Sequence, residues 1–284
     1  MDGHPAHHDL CMGSRKPEKD IRQGDAGPAR WSAPPRRLRL KPREVHVWRA
    51  PLDVDDGTVA RLRETLAPDE RSRASRLRRE VGAKRFLVAR AVLRAILARY
   101  AGSSPESLAF RYTRNGKPEL ASHGRRAPIA FSVAHSGDRA LFAVTAGPAI
   151  GVDIERVRRK LDFEEIVRRH FSTAEIKTLR GLPDDRRREA FFVYWTRKEA
   201  VLKATGEGLT YPLDRVEVPW LPGKPPASIR SGIHPPGAPR WTIVDLRPYA
   251  GFVGALAFPG RRMELRRYSY RHSPRSCPRG PEIR

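Results

Sequence analysis

The most informative part of the chain is the run FFVYWTRKEAVLKATGEGL. Residues four apart lie one turn apart on an α-helix, so Trp195, Glu199 and Lys203 share one stripe of this run, with Lys198 beside them. An indole, a carboxylate and ammonium groups on one face can hold a metal ion against a phosphate. The spacing therefore predicts a helix that ends at Gly206 and presents a phosphate-handling face.

A second acidic pattern lies upstream, in the segment AIGVDIE. Its apolar and polar residues alternate, which in a β-strand sends the apolar side chains to one face and Asp153 and Glu155 to the other. We expect these two carboxylates to meet Glu199. An ordinary exposed Glu/Lys pair on a helix, worth only about 0.2–0.5 kcal/mol, would explain Glu199 and Lys203 taken alone. The combination with the acidic strand favours a functional site.

Length and composition set the class of protein. With 284 residues, of which 39% are apolar, the chain can form one large or two small domains. The sequence contains no run of about 20 apolar residues and no apolar segment typical of a secretory signal, so we expect no membrane association and a cytoplasmic location. Its two cysteines, Cys11 and Cys277, support neither a disulfide framework nor a zinc site.

The net charge of +24 raises the alternative of nucleic-acid binding. The basic residues are densest in the two tails, however, and no nucleic-acid-binding motif stands in the globular part, which argues against nucleic acid as the partner. A positive field would equally recruit an acidic protein or a polyphosphate ligand. Charge alone does not choose among these partners.

Patterning along the chain predicts an ordered region between two tails. Residues 1–43 are rich in Gly, Pro, His and charge and favour a disordered leader. A strand is predicted in EVHVWRA, a short helix over 58–66 and a long helix over 82–100. The segments LAFRYT, IAFSVAHS and RALFAVTA predict strands, the last two joined in a hairpin through Ser136, Gly137 and Asp138.

After this hairpin the order of elements repeats. The strand AIGVDIE is followed by helical segments over 163–182, the long helix, and strands predicted in VEV, WTIVDL and GFVGALAF. The pentapeptide AVLRA at 91–95 echoes AVLKA at 200–204. We expect an α+β fold of two pseudo-symmetric halves, 44–147 and 148–260, each a small antiparallel-rich sheet packed with a long helix. A ligand cleft would lie between the halves, and 261–284 would form a basic disordered tail.

Two motifs together resemble the signature of the 4'-phosphopantetheinyl transferases. These are GVDIE at 151–155 and WTRKEAVLKA at 195–204. The segments GKP at 116–118 and FSVAHSG at 131–137, with the apparent duplication, are similar to the surfactin-type branch, in which one chain carries both halves. The likeness covers roughly residues 44–258 and leaves the tails unexplained.

The resemblance implies transfer of the phosphopantetheine arm of coenzyme A to a serine of an acyl or peptidyl carrier protein, with release of 3',5'-ADP. It implies Mg²⁺ bound by Asp153, Glu155 and Glu199, and oxygen ligands of this kind suit that ion. Glu199 would accept the serine proton, directly or through water, and Lys203 would stabilise the departing phosphate oxygens. The carrier would be a small acidic domain, and the enzyme a monomer because it already contains two halves.

The resemblance also implies a set of coenzyme-binding residues. Arg85 would bind the 3'-phosphate, with Arg73 a further candidate, although a solvated arginine explains Arg73 equally well. Lys117 and Pro118 match a loop that contacts adenine, and they also suit an ordinary turn. His135 matches a phosphate-contacting histidine, whereas a lone histidine is more often structural.

The chain departs from the family pattern at two positions. Ala134 replaces a usual serine, and the lost hydroxyl contact would cost about 0.5–1.5 kcal/mol. Glu70 stands where a basic residue is frequent. A catalytically silent homologue that binds coenzyme A or a carrier therefore remains an alternative, although three converging acids are costly to keep without a cation.

Overall fold

A computed structural model describes residues 30–121, 128–147, 149–208, 211–219, 228–229, 241–260 and 263–272. Residues 1–29 of the predicted leader, both cysteines and the end of the predicted tail lie outside these ranges. Of the helices within them, none combines the length and the apolar character that a membrane crossing requires.

The first half begins with a buried strand and continues through three helices. The long third helix ends where Gly102 takes a left-handed conformation, with φ of 64°. The elements are β1 (Glu44–Pro51), α1 (Asp56–Glu64), α2 (Pro68–Ser75), α3 (Glu80–Ala101), β2 (Phe110–Tyr112), β3 (Pro118–Leu120), β4 (Ala130–Ser136) and β5 (Arg139–Thr145).

The second half repeats this order, again with a 22-residue helix that ends at a left-handed glycine, here Gly206 with φ of 79°. Its elements are β6 (Gly151–Arg156), α4 (Glu164–His170), α5 (Thr173–Arg180), α6 (Asp184–Thr205), β7 (Ser228–Ile229), β8 (Trp241–Leu246) and β9 (Phe252–Pro259). A short 3-10 helix, Leu213–Arg215, follows α6, and β10 (Glu264–Ser269) comes last.

The two main sheets share one topology. The first has the strand order β10-β1-β5-β4 and the second β6-β9-β8-β7, so β1, β5 and β4 correspond to β6, β9 and β8. Both sets of three pair antiparallel throughout, and β2 and β3 form a separate small ribbon. The predicted α+β fold of two related halves is confirmed.

Most of the buried apolar side chains of the described residues lie in three layers. One lies between α3 and the first sheet and another between α6 and the second sheet. The third joins the two sheets, with Val47 and Leu141 from the first half packed among Val152, Ile154 and Leu256 from the second. Because this shared layer continues across both halves, their relative position is held by the same hydrophobic burial that holds each half.

A buried acid fastens the short second helix of each half to the long helix. Glu70 on α2 is paired with Arg90 and with Arg94, whose Nε lies 2.6 Å from Glu70 Oε2. Glu175 on α5 is paired with Lys198 on α6 at 2.6 Å. Glu70 is thus an interior residue with partners on α3, which explains why the chain tolerates an acid there.

Both predictions of disorder at the ends of the chain need correction within the described residues. Residues 30–43, predicted as disordered leader, pack against the first sheet: Leu38 is buried, and the amide of Ser32 donates to the carbonyl of Arg267 at 3.1 Å. Residues 264–269, predicted as disordered tail, form β10, which pairs parallel with β1. β10 carries Leu265 into the core between the two sheets and Tyr268 into the core of the first half, so no apolar alternation marks it, and its arginines make composition misleading.

The predicted strand in VEV does not form at residues 216–218. Side chains take the backbone groups that a strand would offer. Lys198 Nζ donates to the carbonyl of Val216 at 2.8 Å, and the amide of Val218 donates to Glu175 at 2.9 Å. Sequence patterning also misses α2 and β3, which are short.

Candidate active site

A glycine allows the acidic strand and the long helix to meet. A Cβ atom on Gly151 would lie 1.9 Å from the carbonyl oxygen of Ala200 and 2.5 Å from the amide nitrogen of Ala204, both backbone atoms of α6. Real side chains do not approach backbone this closely. The absence of a side chain at Gly151 therefore lets β6 lie directly against the last turns of α6, which carry Glu199 and Lys203.

At this contact Lys203 Nζ donates to Asp153 Oδ1 at 2.6 Å. Asp153 is buried, and its other oxygen, Oδ2, has no hydrogen-bond partner among the described residues. Burial raises the pKa of Asp153, although the ammonium of Lys203 opposes this shift. For Lys203, burial alone would lower the pKa, but Asp153 and the neighbouring acids outweigh burial and raise it.

Glu199 lies one turn before Lys203 and is also buried. Burial, followed by the negative charge of Asp153 and a smaller contribution from Glu155, raises the pKa of Glu199 to about 7, against the opposing effect of Lys203. In the absence of a metal ion, a carboxyl with such a pKa exchanges its proton near neutral pH.

Glu155 is held by a residue that the sequence does not single out as functional. Ser136, at the end of β4, donates its hydroxyl to Glu155 Oε2 at 2.7 Å and accepts from the amide of Arg156 at 3.1 Å. Burial raises the pKa of Glu155, while the bond from Ser136 lowers it. Ser136 thus joins the first half to the acidic strand.

The predicted metal ligands are Asp153, Glu155 and Glu199. In the ranges that the structure describes, no three His, Cys, Asp or Glu side chains stand in an arrangement that could hold a metal ion. The three acids nevertheless interact, because Asp153 and Glu155 both raise the pKa of Glu199. Their oxygen donors and the unpartnered Asp153 Oδ2 suit a hard divalent cation in chemical type.

Positive charge lies beside these acids. Partial burial of the ring, followed by the charges of Lys203 and Arg85, lowers the pKa of His135. The imidazole keeps an exposed surface at the edge of β4. Arg85 is held in place by Asp53, to which its Nε and Nη2 donate at 2.8 and 2.9 Å. No sequence pattern points to Asp53.

The structure gives Lys117 partners on α6. Its ammonium donates to the backbone carbonyls of Lys203 and Ala204 in the last turn of α6. Pro118 begins β3 and pairs with Tyr112. The predicted coenzyme loop is therefore adjacent to the end of the helix that carries Glu199 and Lys203.

Arg73 lies apart on α2, exposed, with its guanidinium 5.5 Å from the ring centroid of Phe86. Among the described residues, this contact with Phe86, which follows Arg85 in the chain, is its link to the site. Ala134 faces the core between the two sheets, on the side of β4 opposite His135. A serine at this position would point into that layer.

Lys198, predicted beside Glu199 and Lys203, lies instead in the interior. Its ammonium is fully buried, pairs with Glu175 and donates to the carbonyl of Leu213 at 2.9 Å. Trp195 packs at the edge of the same core, stacked on Phe191 with 6.1 Å between ring centroids. Both residues position α6, and neither belongs to the acidic group.

Comparison with known proteins agrees with this arrangement. The family model for the 4'-phosphopantetheinyl transferase superfamily matches residues 149–255, and the model for the N-terminal region of 4'-phosphopantetheinyl transferases matches 55–147. The chain is 37% identical over 230 residues to the 4'-phosphopantetheinyl transferase HetI of Nostoc, covering 81% of this chain and 94% of that protein.

Two Bacillus proteins are similar over a shorter region. The 4'-phosphopantetheinyl transferase psf-1 of Bacillus pumilus is 33% identical over 165 residues, and Sfp of Bacillus subtilis is 30% identical over 159 residues. Each alignment covers 56% of this chain and 68% of the relative. The two matching family models and the extent of these likenesses show that the chain belongs to the 4'-phosphopantetheinyl transferase superfamily, in its surfactin-type branch, and is an enzyme of that family.

Proposed function

We propose that the protein transfers the phosphopantetheine arm of coenzyme A to a serine of an acyl or peptidyl carrier protein, in a reaction that depends on Mg²⁺ and releases 3',5'-ADP. The observation that carries this proposal is the buried group of Asp153, Glu199 and Lys203, in which Lys203 Nζ lies 2.6 Å from Asp153 Oδ1 and, without a metal ion, the pKa of Glu199 rises to about 7. Relatives named as 4'-phosphopantetheinyl transferases support the reaction class.

Asp153, Glu155 and Glu199 would hold the metal ion together with oxygens of the coenzyme pyrophosphate. A bound Mg²⁺ would neutralise charge that develops on the phosphate oxygens. Two observations support this assignment. Asp153 Oδ2 has no hydrogen-bond partner among the described residues, and Asp153 and Glu155 repel the charged form of Glu199. A bound cation would give that oxygen a partner and reduce the repulsion.

Glu199 takes the proton of the carrier serine. The serine oxygen then forms a bond to the phosphorus that carries pantetheine, and the bond from that phosphorus to the bridging oxygen breaks. The bridging oxygen leaves with 3',5'-ADP. Lys203 offers positive charge to the departing oxygens, since its ammonium lies at the same contact between β6 and α6.

The coenzyme is bound mainly by the first half. Arg85 supplies positive charge for the 3'-phosphate, the imidazole of His135 would hydrogen-bond a phosphate oxygen, and Arg73 on α2 is a further basic candidate. The backbone of the Lys117–Pro118 loop faces the adenine. Residues 44–147 thus supply the coenzyme-binding groups, and residues 148–260 supply the metal and catalytic groups.

The partner is an acidic carrier protein, which the net charge of +24 would attract over long range. The protein acts as a monomer in the cytoplasm. The internal duplication supports the monomeric state, because the two sheets already bury a shared core within one chain.

The test is the mass of apo-carrier proteins incubated with this protein, coenzyme A and Mg²⁺. Wild-type protein should add the mass of one phosphopantetheine, and Glu199→Gln should slow the addition by roughly 10²–10⁴-fold, the usual contribution of a general base. Glu165→Gln is the matched control, since Glu165 is exposed on α4 and pairs only with the neighbouring Arg169 among the described residues. An absence of any mass gain on several apo-carriers would refute the proposal.

A further inference from the structure

The last turn of α6 needs hydrogen-bond partners from outside the helix. The last four carbonyl groups of an α-helix receive no hydrogen bond from an amide within the helix. At the end of α6 the amide of Gly206 donates to the carbonyl of Leu202 at 2.9 Å, which satisfies only one of them. The carbonyls of Lys203, Ala204 and Gly206 remain to be satisfied.

The first half supplies these partners. The ammonium of Lys117 donates to the carbonyls of both Lys203 and Ala204, and the side-chain amide of Asn115 donates to the carbonyl of Gly206 at 2.9 Å. A single loop, residues 115–117, therefore caps a helix that belongs to the other half of the molecule.

This loop is itself rigid. The amide of Thr113 donates to the carbonyl of Lys117 at 2.9 Å, and the amide of Lys117 donates to the hydroxyl of Thr113 at 3.1 Å. Gly116 takes φ of 77°, a conformation that favours glycine. The ammonium of Lys117 is thus presented from a fixed turn, and a cation at a helix C-terminus is further stabilised by the helix dipole.

The capped turn is also the turn that carries Lys203, whose side chain reaches Asp153. We propose that Lys117 is a positioning residue: its ammonium, through the backbone carbonyls of Lys203 and Ala204, fixes the last turn of α6 so that the Lys203 side chain meets Asp153. This inference rests on the proposed function and deepens it. It assigns the Lys117 ammonium to the helix, and leaves the backbone of the loop to the coenzyme.

Lys117→Met tests the proposal, because methionine keeps most of the length of the side chain and removes the ammonium. We expect kcat to fall about tenfold, because the last turn of α6 loses the charge-assisted hydrogen bonds of one ammonium, with KM for coenzyme A within about twofold of wild type. Lys117→Arg, which restores a cation, should recover part of kcat. Lys177→Met is the control, since Lys177 is exposed on α5.

Hydrogen exchange gives a readout that does not need activity. Amides in residues 202–206 should exchange faster in Lys117→Met than in wild type, whereas amides in the middle of α6 should not change. Asn115→Ala, a milder change in the same cap, should accelerate exchange at Gly206 in the same direction.

A raised KM for coenzyme A with unchanged kcat and unchanged exchange would overturn the proposal and assign the ammonium to the coenzyme. Unaltered exchange in both Lys117→Met and Asn115→Ala would overturn it as well. Failure of the wild-type protein to modify any carrier would refute the proposed function alone, because the exchange measurements test the cap independently.

Discussion

The position of Glu199 on α6, buried and close to the acids of β6, determines its pKa. The carboxyl is buried, and the acids of β6 face it across the contact with α6. Both effects disfavour its charged form, so its pKa reaches about 7 although Lys203 lies one turn away. The ammonium of Lys203 therefore does not cancel the negative charge of the acids, and in the metal-free protein Glu199 takes up a proton near neutral pH.

The raised pKa of Glu199 predicts a pH-dependent stability in the metal-free protein. Because the folded-state pKa is about 7 and the ordinary value is 4.5, the folded protein keeps a proton that the unfolded chain releases. The stability that this proton contributes is fully present below about pH 4.5 and is lost as the pH rises through about 7. It amounts to something on the order of 3 kcal/mol in the free energy of unfolding.

Denaturant unfolding in EDTA between pH 5 and 8 measures this effect. Wild-type protein should lose stability relative to Glu199→Gln as the pH rises, because glutamine carries no charge to bury. Above pH 7, added Mg²⁺ should restore more stability to the wild type than to the variant. Parallel curves for the two proteins at all pH values would contradict the assigned pKa.

The sequence predicts some site residues well because their signals are local. Alternation in GVDIE and the four-residue spacing in the long helix predict that Asp153 and Glu155 meet Glu199, and in the structure both acids raise the pKa of Glu199. The contact of Lys203 with Asp153 at 2.6 Å is not predicted. The same helical stripe also suggests Lys198, which lies in the core because its partner, Glu175, comes from another helix. Ser136 and Asp53 are set by tertiary contacts that local patterns do not encode.

At the scale of elements, the contact between β6 and α6 creates the site, and Gly151 permits this contact. We predict that Gly151→Ala destabilises the protein severely, since the new Cβ would meet two backbone atoms of α6 that cannot move independently. A cost of roughly 3 kcal/mol or more in the free energy of unfolding is expected, similar to severe overpacking.

Gly82→Ala is the matched control for this prediction. Gly82 lies near the start of α3, and a Cβ there would come no closer than 3.8 Å to Arg79. Alanine should therefore be neutral or stabilise the protein by up to about 1 kcal/mol. Thermal unfolding of both variants checks the pair, and equal melting temperatures would show that α6 can shift away from β6.

The repeat of elements is visible in the sequence, but the two matching pentapeptides do not occupy equivalent positions in the two long helices. AVLRA begins eleven residues before the glycine that ends α3, and AVLKA begins six residues before the glycine that ends α6. Counting back eight residues from each glycine instead reaches Arg94 and Lys198. Each of these buried cations pairs with the glutamate of a preceding short helix. The equivalence therefore lies in paired charges that differ in residue type.

At the scale of the whole molecule, the ends of the described chain complete the first sheet. The strand β10 lies parallel to β1, and the carbonyl of Ser32 accepts from the amide of Ser269 at 2.9 Å on the other side of β10. Tyr268 packs on Trp48 with 5.0 Å between ring centroids. Arginine-rich composition predicts disorder here, because it does not reveal that a buried neighbouring strand offers unpaired backbone groups.

Shortening the chain at this end tests the role of β10. Two proteins, one ending at residue 262 and one at residue 272, differ only by residues 263–272. The shorter protein should be less stable by roughly 3–5 kcal/mol, because it exposes the edge of β1 and loses the packing of Tyr268 on Trp48 and His46. Urea denaturation of the two proteins measures the difference. Equal midpoints would mean that β1 is stable as an edge strand, and that the first half is complete without the end of the chain.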